Sequence, residues 1–406
     1  MKRLTLIQYT LLLSGGLAAS SLQAADDMQL QRGEYLARAG DCVACHTVPG
    51  GEDFAGGLAM ASPIGEIYST NITPDPETGI GHYTLEDFSR ALREGKARNG
   101  DHLYPAMPYP SYAKITDEDM AALYTYFMEG VAPVVQENQN ADIPWPLNMR
   151  WPLAFWKGLF LEDGIYQPDS KQSEQWNRGA YLVEGLGHCG ACHTPRGIAF
   201  QEQALDNSDD AFLSGAELEG WWASDLRGDW QTGVGSLSIP ELVSLLKSGS
   251  GGRWSTSGSM SDVITHSTAH LHDRDLNAIA VYLKSLGTSH TSVSTTVKEP
   301  VTNGAELYNE YCSTCHRDNG AGYPGVTPAL ASNPTVVARS PNSVINVILQ
   351  GVESPATPAD SIRYQMPAYA WQLNDTQVAA LVNYLRTRWG NQASSIQEKD
   401  VKALRH

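Results

Sequence analysis

Basic residues and unassigned cysteines are what this sequence lacks. Lys and Arg number 28 against 45 Asp and Glu, a formal net charge of −17 over 406 residues. That balance argues against nucleic acid, or an anionic membrane surface, as a partner held by bulk charge. No P-loop, nucleophile elbow or H-E-x-x-H motif occurs, so the usual signs of phosphate cradling, acyl transfer and zinc hydrolysis are missing. Gly185-Leu186-Gly187-His188-Cys189-Gly190 formally matches G-x-G-x-x-G, but no strand–helix unit follows, and a dinucleotide site is discounted. The acids in Asp206-Asn207-Ser208-Asp209-Asp210 read as a solvated loop. Beyond the first two dozen residues no segment is apolar over the roughly 20 residues that a membrane span needs.

Those first residues read as an export signal. Lys2 and Arg3 open it, Leu4 to Ala19 is mostly apolar, and Leu22-Gln23-Ala24 resembles a cleavage site. Removing residues 1–24 takes away two bases and no acid, so the net charge goes from −17 to −19. Export fits a location in the periplasm, at the outer face of the cytoplasmic membrane.

All six cysteines lie in three stretches: Cys42-Val43-Ala44-Cys45-His46, Cys189-Gly190-Ala191-Cys192-His193 and Cys312-Ser313-Thr314-Cys315-His316. Each is C-x-x-C-H, the attachment signature of a c-type haem. Two sulfurs three positions apart each bond one vinyl arm of the porphyrin, and the adjacent His sits under the iron. With no cysteine left over, the reading is three covalently bound haem c groups and no disulfide.

A longer repeat surrounds these motifs. Arg32-Gly33-Glu34-Tyr35-Leu36, Arg178-Gly179-Ala180-Tyr181-Leu182 and Asn303-Gly304-Ala305-Glu306-Leu307-Tyr308 precede them, each read as a short helix opened by Gly. A second helix ends near Gly95, Gly249 or Gly351, and a Met follows 11 to 15 residues later: Met107, Met260 and Met366. Closing helices are expected over Thr116–Met128, His272–Leu286 and Asn374–Arg388, where apolar residues recur at helical spacing. Thr84, and Ser238 with Glu241, read as helix N-caps.

The fold class is therefore mainly α, with three tandem class I cytochrome c-like domains. The expected boundaries are a signal peptide at 1–24, domains at 25–140, 175–287 and 303–392, a Pro/Trp-rich connector at 141–174, a linker at 288–302 and a polar tail at 393–406. The connector reads as a segment packed on the second domain, with docking of a partner or membrane by its Trp residues as the alternative.

The sixth iron ligand follows from elimination. The second and third repeats each hold one Met after the haem motif, Met260 and Met366. In the first, Met107 shares with Met366 a following Pro, which favours an extended loop. Met60 belongs to a Gly-rich loop, Met120 and Met128 to the closing helix, and Met149 lies past the repeat. The axial pairs are His46/Met107, His193/Met260 and His316/Met366. Met260 lacks the Pro, so His266 or His270 stays open as the middle ligand; His272 is the poorest candidate. Three closed irons transfer single electrons and oxidise no organic substrate, so no catalytic residue is assigned. A haem peroxidase, a free-standing electron carrier and an oxidase subunit are the rival readings.

The chain resembles the tri-haem cytochrome c subunits of membrane-associated bacterial alcohol, aldehyde, gluconate and sorbitol dehydrogenases. The likeness covers nearly the whole mature chain. It rests on Arg32-Gly33-Glu34-Tyr35-Leu36, Ser69-Thr70-Asn71-Ile72-Thr73-Pro74-Asp75, Tyr104-Pro105-Ala106-Met107-Pro108, Arg150-Trp151-Pro152-Leu153-Ala154-Phe155-Trp156, Cys192-His193-Thr194-Pro195-Arg196-Gly197 and Gln365-Met366-Pro367-Ala368-Tyr369. The resemblance implies a separate catalytic subunit carrying PQQ or a flavin, and delivery of electrons to ubiquinone or a terminal oxidase. The polar tail implies peripheral membrane association through a partner.

Overall fold

The computed structural model describes residues 26–162, 164–289, 303–358 and 363–405. The signal at 1–24 and most of the Ser/Thr/Val linker lie outside the described residues. Within them the chain is helix-rich, with four two-stranded antiparallel hairpins.

One helix crossing recurs three times, and glycine makes it. The leading helices are residues 26–39, Glu174–Ala180 and Gly304–Tyr311. The closing helices are Asp117–Thr125, Asp273–Ser285 and Asp375–Thr387. A Cβ on Gly33 would stand 2.0 Å from the carbonyl oxygen of Ala122, one on Gly179 2.1 Å from that of Ala278, and one on Gly304 2.5 Å from that of Ala380. Only a residue without a side chain lets the two backbones approach so closely. Of the three glycines, only Gly304 opens its helix; Gly33 lies inside one and Gly179 near the end of another. Close packing, not helix initiation, explains them.

The caps follow local chemistry. Thr84 with Asp87, Ser238 with Glu241 and Asn374 with Gln377 form reciprocal capping boxes that satisfy otherwise orphaned N–H groups. Gly95 and Gly249 end their helices at φ 57° and 77°, the left-handed conformation glycine adopts at little cost. The first closing helix runs into a wider π turn at Tyr126–Gly130.

The cores divide unevenly. Leu36, Met120, Leu123 and Phe127 of the first repeat share one apolar core with Leu182, Leu186, Leu276 and Leu283 of the second. Leu307, Ile345, Val378 and Leu381 form a separate core in the third. The third repeat docks on the hairpin Ala216–Leu218/Trp221–Ala223 of the second: Ser343 Oγ accepts from the Trp222 N–H at 2.9 Å, and Asn346 donates to the Gly220 carbonyl at 3.0 Å.

Two segments differ from their reading in the sequence. The tail folds back onto the third closing helix: Ala393 and Val401 are fully buried and Arg405 Nε pairs with Asp375. The fully buried Arg386 fixes it, donating to the carbonyls of Val336, Ala338 and Ser394. The connector helix, Leu153–Phe160, packs chiefly on the first repeat. Lys157 Nζ donates to the carbonyls of Glu94 and Gly95 at 2.6 and 3.0 Å, and the Trp156 ring meets Tyr109 edge-on.

Candidate functional site

The three C-x-x-C-H motifs each form one helical turn: Cys42–Cys45, Gly190–His193 and Ser313–His316. The leading helix delivers the chain into that turn. The residues before Cys42 and Cys189 bend sharply, with Asp41 at φ 52° and His188 at φ 36°. Burial pushes the thiols of Cys42, Cys189 and Cys312 up to about 12, and those of Cys45 and Cys192 up to about 11.

A single device orients all three histidines. His46 Nδ1 lies 2.6 Å from the carbonyl oxygen of Thr70, His193 Nδ1 2.6 Å from that of Ser224, and His316 Nδ1 3.0 Å from that of Pro328. A carbonyl only accepts, so each Nδ1 carries the proton and each Nε2 is left with its lone pair. Burial also lowers the pKa of each imidazole, partly offset by that same bond. Each ring is thus neutral, fixed in tautomer, and able to ligate a metal through Nε2.

The carbonyls are themselves held. Asn71, next to Thr70, is buried and donates from Nδ2 to the Val134 carbonyl at 2.8 Å, while its Oδ1 accepts from the Thr73 N–H at 2.9 Å. The Ser69–Asp75 segment is therefore a hydrogen-bonded knot that presents Thr70. Beside Ser224, Asp225 accepts from the Arg227 N–H, and Arg227 Nη1 donates to the Phe212 carbonyl. In the third repeat the Thr327 hydroxyl donates to the Cys315 carbonyl at 2.8 Å, tying the Pro328 loop to the motif.

The third set of candidate residues comes together around one cavity of about 920 Å³. Cys312, Cys315, His316 and Met366 all line it, with Val344, Ile348, Tyr369 and Leu381 among the apolar walls. Met366 is held there by strand pairing with Val352. A largely apolar cleft bearing two thiols, a neutral imidazole and a thioether fits a covalently attached haem. The second repeat also lines this cavity, through Gly251 to Trp254 of a second hairpin, Ser250–Gly251/Trp254–Ser255.

In the first two repeats Met107 and Met260 are half-buried against the shared core, as are Cys42 and Cys189. Met107 sits in the expected Pro-flanked loop, its N–H donating to the Tyr104 carbonyl. Met260 does not: it is the second residue of a helix, Ser259–His266. Without the following Pro nothing stops helix formation there. His270 is exposed and its Nε2 lies 3.0 Å from the Thr265 carbonyl, while His272 stacks on Tyr35 at 4.4 Å. Both rings are engaged elsewhere. His266 ends the Met260 helix. Asp206 pairs with Lys114, and Asp210 with Arg227.

Sequence reasoning passed over Asp41. It is 8 % exposed, its Oδ1 has no hydrogen-bond partner, and burial raises its pKa to about 8, with Asp262 adding to the effect. A lone Asp beside a motif carries no sequence signal; only the fold of the second repeat over it makes it unusual.

The cytochrome c family matches residues 30–130 and 301–389. Over 406 aligned residues the chain is 50% identical to the gluconate 2-dehydrogenase cytochrome c subunit of Pantoea cypripedii, covering 96% of this chain and 92% of that protein. It is 42% identical to the cytochrome c subunit of the quinone alcohol dehydrogenase of Gluconobacter oxydans (strain 621H), covering 97% and 86%. It is 38% identical to the fructose dehydrogenase cytochrome subunit of Gluconobacter japonicus, covering 93% and 82%.

Proposed function

We propose an electron-relay role for this chain, which belongs to the cytochrome c subunits of the gluconate, alcohol and fructose dehydrogenases. It takes electrons from a catalytic dehydrogenase subunit and carries no substrate-oxidising site of its own. The relay comprises three tandem cytochrome c domains, at 25–140, 175–287 and 303–392, each holding one haem c.

A covalently attached haem c supplies a one-electron couple at its iron. The chain's own residues then hold and close it. Cys42/Cys45, Cys189/Cys192 and Cys312/Cys315 fix the porphyrins. His46, His193 and His316 would ligate the irons through Nε2, with Met107, Met260 and Met366 as the thioether ligands. A protein His and a protein Met on each iron would keep small molecules away, which would favour electron transfer over peroxide or oxygen chemistry. The observation that carries this reading is the repeated Nδ1-to-carbonyl bond, at 2.6, 2.6 and 3.0 Å. Three rings preset to the same tautomer suit three equivalent ligation sites.

The partner is a PQQ- or flavin-dependent dehydrogenase acting on an alcohol, aldehyde, polyol or sugar acid. Electrons leave to ubiquinone or a terminal oxidase. The complex works in the periplasm, at the outer face of the cytoplasmic membrane. Purification of the tagged chain from its native membranes tests this. A large dehydrogenase subunit co-purifies, and its substrate reduces the chain's haem absorption. Reproducible absence of such a subunit contradicts the reading.

A further inference from the structure

One buried acid stands against the second haem motif. The chain turns back after that motif and returns Glu202 to it: Arg196 and Glu202 pair as an antiparallel bridge, and the Gln203 N–H donates to the Pro195 carbonyl. The Glu202 side chain is 4 % exposed. Arg196 Nη1 stands 3.8 Å from its Oε1, too far for a hydrogen bond. That guanidinium donates instead to the carbonyls of Ala191 and Phe200. Glu202 Oε2 has no hydrogen-bond partner among the described residues, and a buried polar atom left without one calls for an explanation.

The second motif is shaped to admit this carboxyl. The residue after the first cysteine is Val43 in the first motif, Ser313 in the third and Gly190 in the second. A Cβ on Gly190 would lie 2.5 Å from Glu202 Oε2 and 3.1 Å from the ring of the buried Phe212. Glycine thus clears the space that the carboxyl occupies, between the two cysteines that hold the porphyrin. A carboxylate cut off from water and short of donors is costly to ionise, and a proton relieves the cost. Burial accordingly pushes the Glu202 pKa up to about 7, with Arg196 and Lys114 holding it down. The groups that face it are Arg196 beside it, Lys114 from the first repeat and the Cys192 thiol of the motif, which its charge acts on. Lys114 is itself paired with Glu184 and Asp206.

We infer that Glu202 is a proton site coupled to the redox state of the second haem. One electron from the dehydrogenase partner takes that iron from Fe(III) to Fe(II). The Glu202 carboxylate then forms an O–H bond with a proton from solvent, which offsets the added negative charge. When the electron leaves, the proton returns to solvent. Glu202 ligates nothing; it sets the potential of the haem beside it. The inference deepens the relay reading and rests on it, since it needs a haem at the second motif.

The test is a spectroelectrochemical titration of the full haem-loaded chain at pH values on both sides of 7. The wild type shows three one-electron steps, and one potential falls as pH rises through about 7, because the bound proton stabilises the reduced state. Glu202→Gln, with its haem spectrum unchanged, loses that slope and leaves the other two steps where they were. Should it fold poorly, Arg196→Gln removes the facing cation and moves the fall to higher pH. Three steps that are all flat with pH overturn this inference and leave the relay standing. So does a slope that survives in Glu202→Gln, which assigns the proton to a carboxylate of the haem itself, or a fall that Arg196→Gln leaves in place. Fewer than three steps strike both readings.

Discussion

The Tyr35 hydroxyl, in the leading helix of the first repeat, donates to Asp275 Oδ2 in the closing helix of the second, at 2.7 Å. The reverse contact exists too: Tyr181 of the second repeat donates to Asp119 Oδ2 of the first, also at 2.7 Å. Each Asp is paired within its own repeat, Asp119 with Arg32 and Asp275 with Arg178. The two repeats thus meet through a self-complementary contact, of the kind a two-fold dimer makes, but within one chain. In the third repeat the aligned positions are Asn303, Glu306 and Gln377. That repeat has a separate core and docks by other contacts.

Unfolding should therefore follow the cores. The first two repeats should melt together and the third in a distinct transition. Tyr35→Phe and Tyr181→Phe each remove a hydrogen bond to a buried carboxylate, a loss of about 1.5–3 kcal/mol. Calorimetry of the haem-loaded variants should show equal shifts in the first transition and none in the second.

The helix crossings predict where a single methyl is intolerable. Gly33→Ala or Gly179→Ala puts Cβ 2.0 or 2.1 Å from a backbone oxygen, so the helices must separate. Overpacking of this kind costs about 1–3 kcal/mol. Denaturant midpoints should fall for both variants, while Gly50→Ala, where a Cβ would meet nothing within 4 Å, pays only for its backbone conformation at φ 76°.

Asp41 should make stability fall with rising pH. Its folded pKa is raised to about 8 from 3.8, so the folded state holds the proton more tightly than the unfolded one. Stability from this group is full below about pH 4, declines as pH rises, and levels off above about pH 8. Asp41→Asn, which tolerates the left-handed backbone there, should flatten that decline. Urea midpoints across the range measure it.

Met260→Ala tests the middle ligand. One haem of three should lose its thioether ligand and its potential should drop, because Met ligation raises it. Spectroelectrochemistry reads the change. An unmoved potential would transfer the ligand role to His266, since His270 and His272 are otherwise engaged.

What was legible in the sequence was local. The caps at Thr84 and Ser238 join residues three apart, and the structure has both; the equivalent box at Asn374 was not read. The haem motifs, and the Pro-flanked loop at Met107, are equally short-range. What could not be read joins distant residues: Tyr35 and Asp275 are 240 positions apart. The tail was misjudged because Ile396 and Val401 are too few to show a period among its charges; burial comes from the closing helix they meet. Met260 on a helix was missed because the repeat pattern puts each Met in a loop between two helices, which nothing enforces here without a following Pro. The connector's two faces needed the structure as well, since sequence alone could not say which side Lys157 would take.

The central claim is a relay through three irons closed on both sides. It is tested most directly by a redox titration of the purified native chain, followed by visible absorption, with and without carbon monoxide. The account predicts three one-electron steps per chain, unchanged by the gas. Fewer than three steps, or rapid carbon monoxide binding at any haem of the native protein, would contradict it.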